Sequence, residues 1–202
     1  MGLVKARAAG NGAAFDAAPE DAPRLDHPDA VQRRRAVQAL AGDADCVDKL
    51  VTLLRVEKES LVRQAAFLLL ASLNSREAAR GVSVLLSDAD AALRNGALET
   101  LAAMPDHAGP LLASLGQDED ADVRIFAVLL AAELQDPAAA DWLVALAAHE
   151  TDANVCSNLA EALGGTGRIE AAAALTAIGA RFAGDPFLGF AVETALQRLR
   201  EA

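Results

Sequence analysis

An arginine that returns at a nearly fixed interval constrains this chain more than any other feature. Arg33, Arg63, Arg94 and Arg124 are separated by 30, 31 and 30 residues, and the register continues to Cys156 and Gly189, where arginine is replaced. Four residues before each of these six positions stands an acid: Asp29, Glu59, Asp90, Asp120, Asp152 and Asp185. Three residues after come Ala36, Ala66, Ala97, Ala127, Leu159 and Val192; seven after come Leu40, Leu70, Leu101, Ala131, Leu163 and Leu196. An acid in all six slots is no accident in a chain with 29 acids among 202 residues. The chain is a repeat.

Each column has a physical role. The acid is placed to cap a helix, accepting from backbone N–H groups that lack intrahelical partners at the positive end of the dipole. The positions one before, three after and seven after the arginine share one helical face, which predicts an apolar stripe turned to a core. Alanine in the middle of that stripe lets two helices approach closely. The arginine lies one turn from the acid, so it can reach that acid or the one in a neighbouring repeat. The expected result is a structural ladder of Arg33, Arg63, Arg94 and Arg124 with the six acids.

Between these helices lie second apolar segments. Val47, Leu50, Leu53 and Leu54 form one, and Val82, Leu85 and Leu86 another. Leu111, Leu112 and Leu115, then Trp142, Leu143 and Leu146, then Ile169, Leu175 and Ile178 complete the set. Each repeat therefore reads as a helical hairpin with a face too apolar to stand alone, which stacking must bury. The columns resemble the HEAT repeat, in the short variety first named for phycobilisome lyases: an acid, Val-Arg-x-x-Ala, and Leu-x-x-Leu-Leu. The resemblance implies an all-α fold, a right-handed α-α superhelix of about five helical hairpins closed by a C-terminal capping helix. It also implies that the Val-Arg helices line the concave surface and the leucine helices the convex one.

The domain organisation follows. Residues 1–25, with Gly10-Asn11-Gly12, Pro19 and Pro23 and no stripe, read as a flexible N-terminal tail. Residues 26–202 read as one solenoid. Pro105 and Gly109-Pro110 predict a short or irregular second helix in the third repeat. Gly164, Gly165 and Gly167 are expected to end the first helix of the fifth, and a longer second helix is expected from Arg168 to Phe182.

Composition narrows the function. Residues 1–100 hold 13 basic and 14 acidic side chains, residues 101–202 hold 5 and 15, so the net charge is −1 (13 − 14) in one half and −10 (5 − 15) in the other. Such a surface repels nucleic-acid phosphates. No apolar run approaches the ~18 residues of a membrane span, and no signal-peptide pattern is present. Cys46 and Cys156 lie several repeats apart, too far for a disulfide, and two unpaired cysteines fit a reducing cytoplasm. No Cys/His cluster has zinc spacing, no phosphate-binding glycine loop follows a strand, and no Ser-His-Asp set assembles by register. The His149-Glu150 pair reads as an exposed turn. No catalytic residue, metal or cofactor is expected.

What remains is binding. One, five and eight residues after the slot, each Val-Arg helix turns away from its core stripe. The fourth repeat presents Ile125 and Leu129 there with Phe126 beside them; Leu68 and Phe190 add apolar groups on the same side, and Asn95, Glu99 and Glu161 supply a polar, acidic rim. These eight residues are the candidate concave-face site for another protein, whose fitting element is an amphipathic helix or a segment with basic flanks. The expected function is a non-catalytic interaction module, scaffold or adaptor, cytoplasmic and monomeric. The resemblance suggests a bacterial setting of chemotaxis-like or two-component signalling; its alternative is a lyase-type subunit that handles or attaches a chromophore.

Overall fold

The computed structural model describes residues 23–201; the expected tail falls almost wholly outside them. Within the described residues every regular element is helical. The Val-Arg helices are α1 (Ala30–Ala39), α3 (Ser60–Leu73), α5 (Ala91–Ala102), α8 (Ala121–Leu134), α10 (Ala153–Gly165) and α12 (Pro186–Glu201). The leucine segments between them are α2 (Cys46–Val56), α4 (Arg76–Ser83) with a 3-10 extension Val84–Ser87, α9 (Pro137–Ala147) and α11 (Ala171–Arg181). In the third repeat this segment is broken into α6 (Pro105–Ala108), a 3-10 turn Gly109–Leu111, and α7 (Leu112–Leu115). Pro105 starts α6 where its missing N–H costs nothing, and Pro110 interrupts the run.

The acids begin the helices as their position demands. Asp29, Asp90, Asp120, Asp152 and Asp185 each accept from a backbone N–H in the first turn that follows, at Val31, Ala92, Asp122, Asn154 and Phe187. Glu59 occupies the same place before α3 without a capping bond, its extra methylene carrying the carboxylate past the donors. The stripe is buried: Ala36 is covered, and Ala66, Ala97, Ala127, Leu159 and Val192 belong to one core that runs the length of the stack. Leu50, Leu54, Leu85, Leu86, Leu143 and Ile178 enter it from the leucine layer. Met104 also closes into it, although no column marks that position.

Two layers result. The Val-Arg helices press on their neighbours in sequence α1, α3, α5, α8, α10, α12, and the leucine helices do so less closely, which puts the Val-Arg layer on the inner side of the bend. Glycine permits the closest approach: a Cβ on Gly164 would stand 2.8 Å from Cβ and 2.9 Å from Cα of Ala195, locking α10 against α12. The glycines of the fifth repeat end the helix as expected, and Gly164 also serves this contact. Gly164 and Gly165 are the last two residues of α10, and Gly167, at φ 64°, turns the chain beyond it. But α11 is not longer than its counterparts: residues 168–170 form a turn, Ile169 is exposed rather than core, and α11 has 11 residues, as do α2 and α9.

The ladder exists, but its carboxylates are not mainly the capping acids. Each ladder arginine first reaches back to carbonyls of the loop before its own helix: Arg33 to His27 and Pro28, Arg63 to Glu57, Arg94 to Asp88 and Ala89, Arg124 to Asp118 and Glu119. The rest of the guanidinium then faces the next repeat. Arg33 makes a two-pronged pair with Glu57, at 2.6 and 2.9 Å, and Arg124 with Glu150, at 2.8 and 3.2 Å. Arg63 alone pairs with a capping acid, Asp90, at 2.7 Å. Asp29, Glu59, Asp120, Asp152 and Asp185 hold no ladder arginine among the described residues.

Glu57 and Glu150 stand six residues before the slots at Arg63 and Cys156; Asp88 and Asp118 fill that column before Arg94 and Arg124. All four accept the N–H two residues on, from Glu59, Asp90, Asp120 and Asp152. Glutamate, one methylene longer, keeps that bond and still reaches the preceding arginine. Aspartate does not. Arg63 turns to Asp90 instead, while Arg94 has no acid: its guanidinium lies 5.7 Å from the centroid of Phe126, and its buried Nε has no hydrogen-bond partner. Where Cys156 replaces arginine, Arg181 comes in from α11 and donates to the carbonyls of Ala147, Ala148 and Glu150. Cys156 is fully buried, its Sγ 3.6 Å from the Glu150 carbonyl.

Candidate protein-interaction surface

The inner layer leaves part of each Val-Arg helix open, because core contacts take only one stripe of it. Leu68 on α3, Leu129 on α8 and Phe190 on α12 project from that layer, 63%, 37% and 71% exposed. Asn95, Glu99 and Glu161 are exposed beside them. Ile125 and Phe126 are not equivalent to these: both are half-buried and pack against the core, and Phe126 lies beneath Arg94. The expected continuous strip is therefore a row of separate apolar side chains. Ile125 and Phe126 serve the joint between repeats at least as much as any surface.

Of the eight candidate residues, the structure brings Leu129 and Glu161 into one cavity. It is a groove of about 810 Å³ where the C-terminal halves of α8 and α10 separate above the start of α9. Ala132, Asp136, Gly165 and Arg198 of α12 are among its lining residues. The hollow arises because the positions eight and nine after the slot carry Ala132, Gly164 and Gly165: Gly164 is spent on Ala195, and nothing lies within 4 Å of where a Cβ of Gly165 would stand. Sequence reading missed Asp136, Gly165 and Arg198 as lining residues. The run of small side chains at those positions was the available signal. A second cavity, about 660 Å³, lies between α6–α7 and α9 with Trp142 on its wall.

Electrostatics separate structural from available charge. Arg33 holds the Glu57 carboxyl down at about 2, against the opposing effect of burial and with help from the Lys58 and Glu59 N–H groups. Burial pushes Glu150 up, but the Arg124 guanidinium and two backbone N–H groups outweigh it and leave the carboxyl below its ordinary value. The exposed turn expected at His149-Glu150 is thus half right: His149 is exposed and Glu150 is a buried rung. Burial raises the thiols of both Cys46 and Cys156, and both are free and buried, so neither is placed to act as a nucleophile. Glu161 and Asp136 take part in no salt bridge among the described residues. No helix among the described residues is long and apolar enough to cross a membrane.

Residues 108–185, which span α7 to α11, match the family model for HEAT repeats. This stretch of the chain is similar to HEAT repeats. The same columns of acid, slot and small residue recur back through α1 and on to α12. No curated protein matches the sequence. Among solved structures, one match is an engineered protein, 20% identical, with TM-score 0.43, covering 88% of this chain and 96% of that one. The complex of CpcE and CpcF of phycocyanin lyase from Nostoc is 19% identical, with TM-score 0.35, covering 98% and 100%. A designed armadillo repeat protein in complex with the peptide (KR)4 is 18% identical, with TM-score 0.43, covering 90% and 98%.

Proposed function

We propose that this HEAT-repeat chain is a protein-interaction module: residues 26–202 act as one solenoid, and its inner layer receives a segment of another protein. The observation that carries the reading is the placement of Leu68, Leu129 and Phe190, large apolar groups exposed on the Val-Arg layer beyond the first-turn Val31, Leu61 and Phe187, with the groove beside Leu129. Such groups on a rigid helical wall are the ordinary anchors of helix-in-groove or extended-segment recognition. Glu99 and Glu161 at the rim favour a partner with basic residues next to its anchors. The two cysteines are buried, and the buried carboxylates of Glu57 and Glu150 are committed to Arg33 and Arg124.

The test is selection from a displayed random-peptide library on the full chain, followed by binding to Leu68→Glu/Leu129→Glu/Phe190→Glu. All three positions are exposed, so the variant is expected to melt as the parent does. Selected peptides should share an apolar anchor with Lys or Arg nearby and lose the variant. Selection of no peptide, or undiminished binding to the variant, would refute the reading.

A further inference from the structure

We propose that the groove between α8 and α10 is a subsite for a short segment bearing one apolar anchor with a lysine or arginine beside it. This rests on the interaction-module reading and names its partner's chemistry. At about 810 Å³ the groove lies within the range of roughly 300–1,000 Å³ common for ligand clefts, enough for a short segment and too little for a folded partner. Leu129 supplies an apolar wall and Gly165 open space.

The polar groups around it are unequal in sign. α8 ends at Gln135 in the left-handed region, φ 48°, with no backbone N–H turned back on the carbonyls of its last turn. Those carbonyls carry the partial negative charge of a helix C-terminus. Asp136 stands before α9 in the capping position, yet its carboxylate makes no capping bond, and Glu161 is exposed without a cation. Against these acceptors stand two arginines. Arg168 is tied to Asp141 at 2.7 Å and to the Pro137 carbonyl, and its charge is offset. Arg198 pairs with no carboxylate among the described residues and is the single opposing charge. Two uncommitted carboxylates and an uncapped helix end outweigh one guanidinium. The net charge of −10 over residues 101–202 adds attraction at longer range.

The experiment is a residue-resolved NMR titration of the full chain with three end-blocked peptides: Gly-Ser-Arg-Leu-Arg-Ser-Gly, the same peptide with glutamate for both arginines, and the same with serine for leucine. The first should bind about tenfold more tightly than either comparator, with the largest shifts at Leu129, Glu161 and Gly165. Asp136→Asn/Glu161→Gln should weaken it about fivefold, and Arg198→Gln should strengthen it about twofold. Equal binding of the glutamate peptide, shifts confined to places outside the groove, or no shift with the arginine peptide would each overturn the subsite. Shifts that gather instead at Leu68 or Phe190 would overturn it while leaving the module reading intact, which the library selection decides separately.

Discussion

Asp118→Glu should mend the one ladder joint that lacks a carboxylate. Arg94 keeps its bonds to the Asp88 and Ala89 carbonyls, but its Nε is buried with no partner. An unpaired buried donor costs about 1–3 kcal/mol. At the corresponding places Glu57 and Glu150 hold a loop N–H and still put a second oxygen on the preceding arginine, at 2.6 and 2.8 Å. Glutamate at 118 has the same backbone bond open to it, from the Asp120 N–H. The gain is offset by ordering one torsion more than aspartate needs, about 0.5 kcal/mol, and by loss of part of the Arg94–Phe126 attraction, roughly 0.5 kcal/mol. Because Asp118 is exposed, solvent screens the new pair as well. The net expectation is about +1 kcal/mol, or ~2–4 °C in melting temperature for a domain of this size. Urea and thermal melts followed by circular dichroism read it. Asp88→Glu is the control: Arg63 already holds Asp90, so that change should stay within about 0.5 kcal/mol. In an Arg94→Gln background the gain from Asp118→Glu should vanish. An unchanged or lowered stability, or an equal gain without Arg94, would show that side-chain length does not decide the rung.

Acid should weaken the Arg33–Glu57 rung. The Glu57 carboxyl is lowered from 4.5 to about 2, so its contribution is complete above pH 4.5 and is lost as pH falls from there toward 2. That shift corresponds to about 3 kcal/mol; the gap in urea midpoint between the parent and Glu57→Gln should narrow across this window, and a constant gap would contradict the assignment. Gly164→Ala, forced against the backbone of Ala195, should cost about 1–3 kcal/mol despite alanine's better helix propensity, whereas Gly165→Ala, with open space around it, should gain about 0.5–1 kcal/mol. Matching melts for the two would refute the close α10–α12 approach. Arg181→Ala should cost about 1–3 kcal/mol by leaving carbonyls of the loop before α10 without their donor; a neutral result in denaturant melts would mean that water replaces it fully.

The repeat, its register and its buried stripe were legible because each column depends on local physics: a cap, a helical period, a residue small enough to let helices meet. The broken second helix of the third repeat was legible for the same reason, through Pro105 and Pro110. The rungs were not, since pairing across repeats turns on reach. Reading the acids four before the slot as partners found Asp90 and missed Glu57 and Glu150, which differ from Asp88 and Asp118 by a single methylene. Arg181 substituting for a lost arginine could not be seen, because it arrives from the other layer. On the inner surface the pattern placed Leu68, Leu129 and Phe190 correctly as exposed, but it could not tell Phe126 from them. Phe126 stands two residues after its slot and packs on the core beneath the neighbour's Arg94, whereas Phe190 stands one residue after its slot and is exposed.

The missing rung between α5 and α8 also bears on how the molecule comes apart. A solenoid is a one-dimensional stack whose stability is a sum of repeat terms and nearest-neighbour terms. Of the four joints headed by an arginine, this one has no salt bridge among the described residues, and the leucine segment beside it is the one broken by Pro110. In such a stack the weakest coupling sets the boundary between cooperative units. Residues up to Ala102 and residues from Ala121 onward are therefore expected to behave as two blocks, with thermal opening expected to part them first; amide hydrogen exchange that is uniform across the two would contradict this. The balanced block and the strongly acidic block meet at that boundary, so low ionic strength loads the acidic side with its own repulsion and salt relieves it.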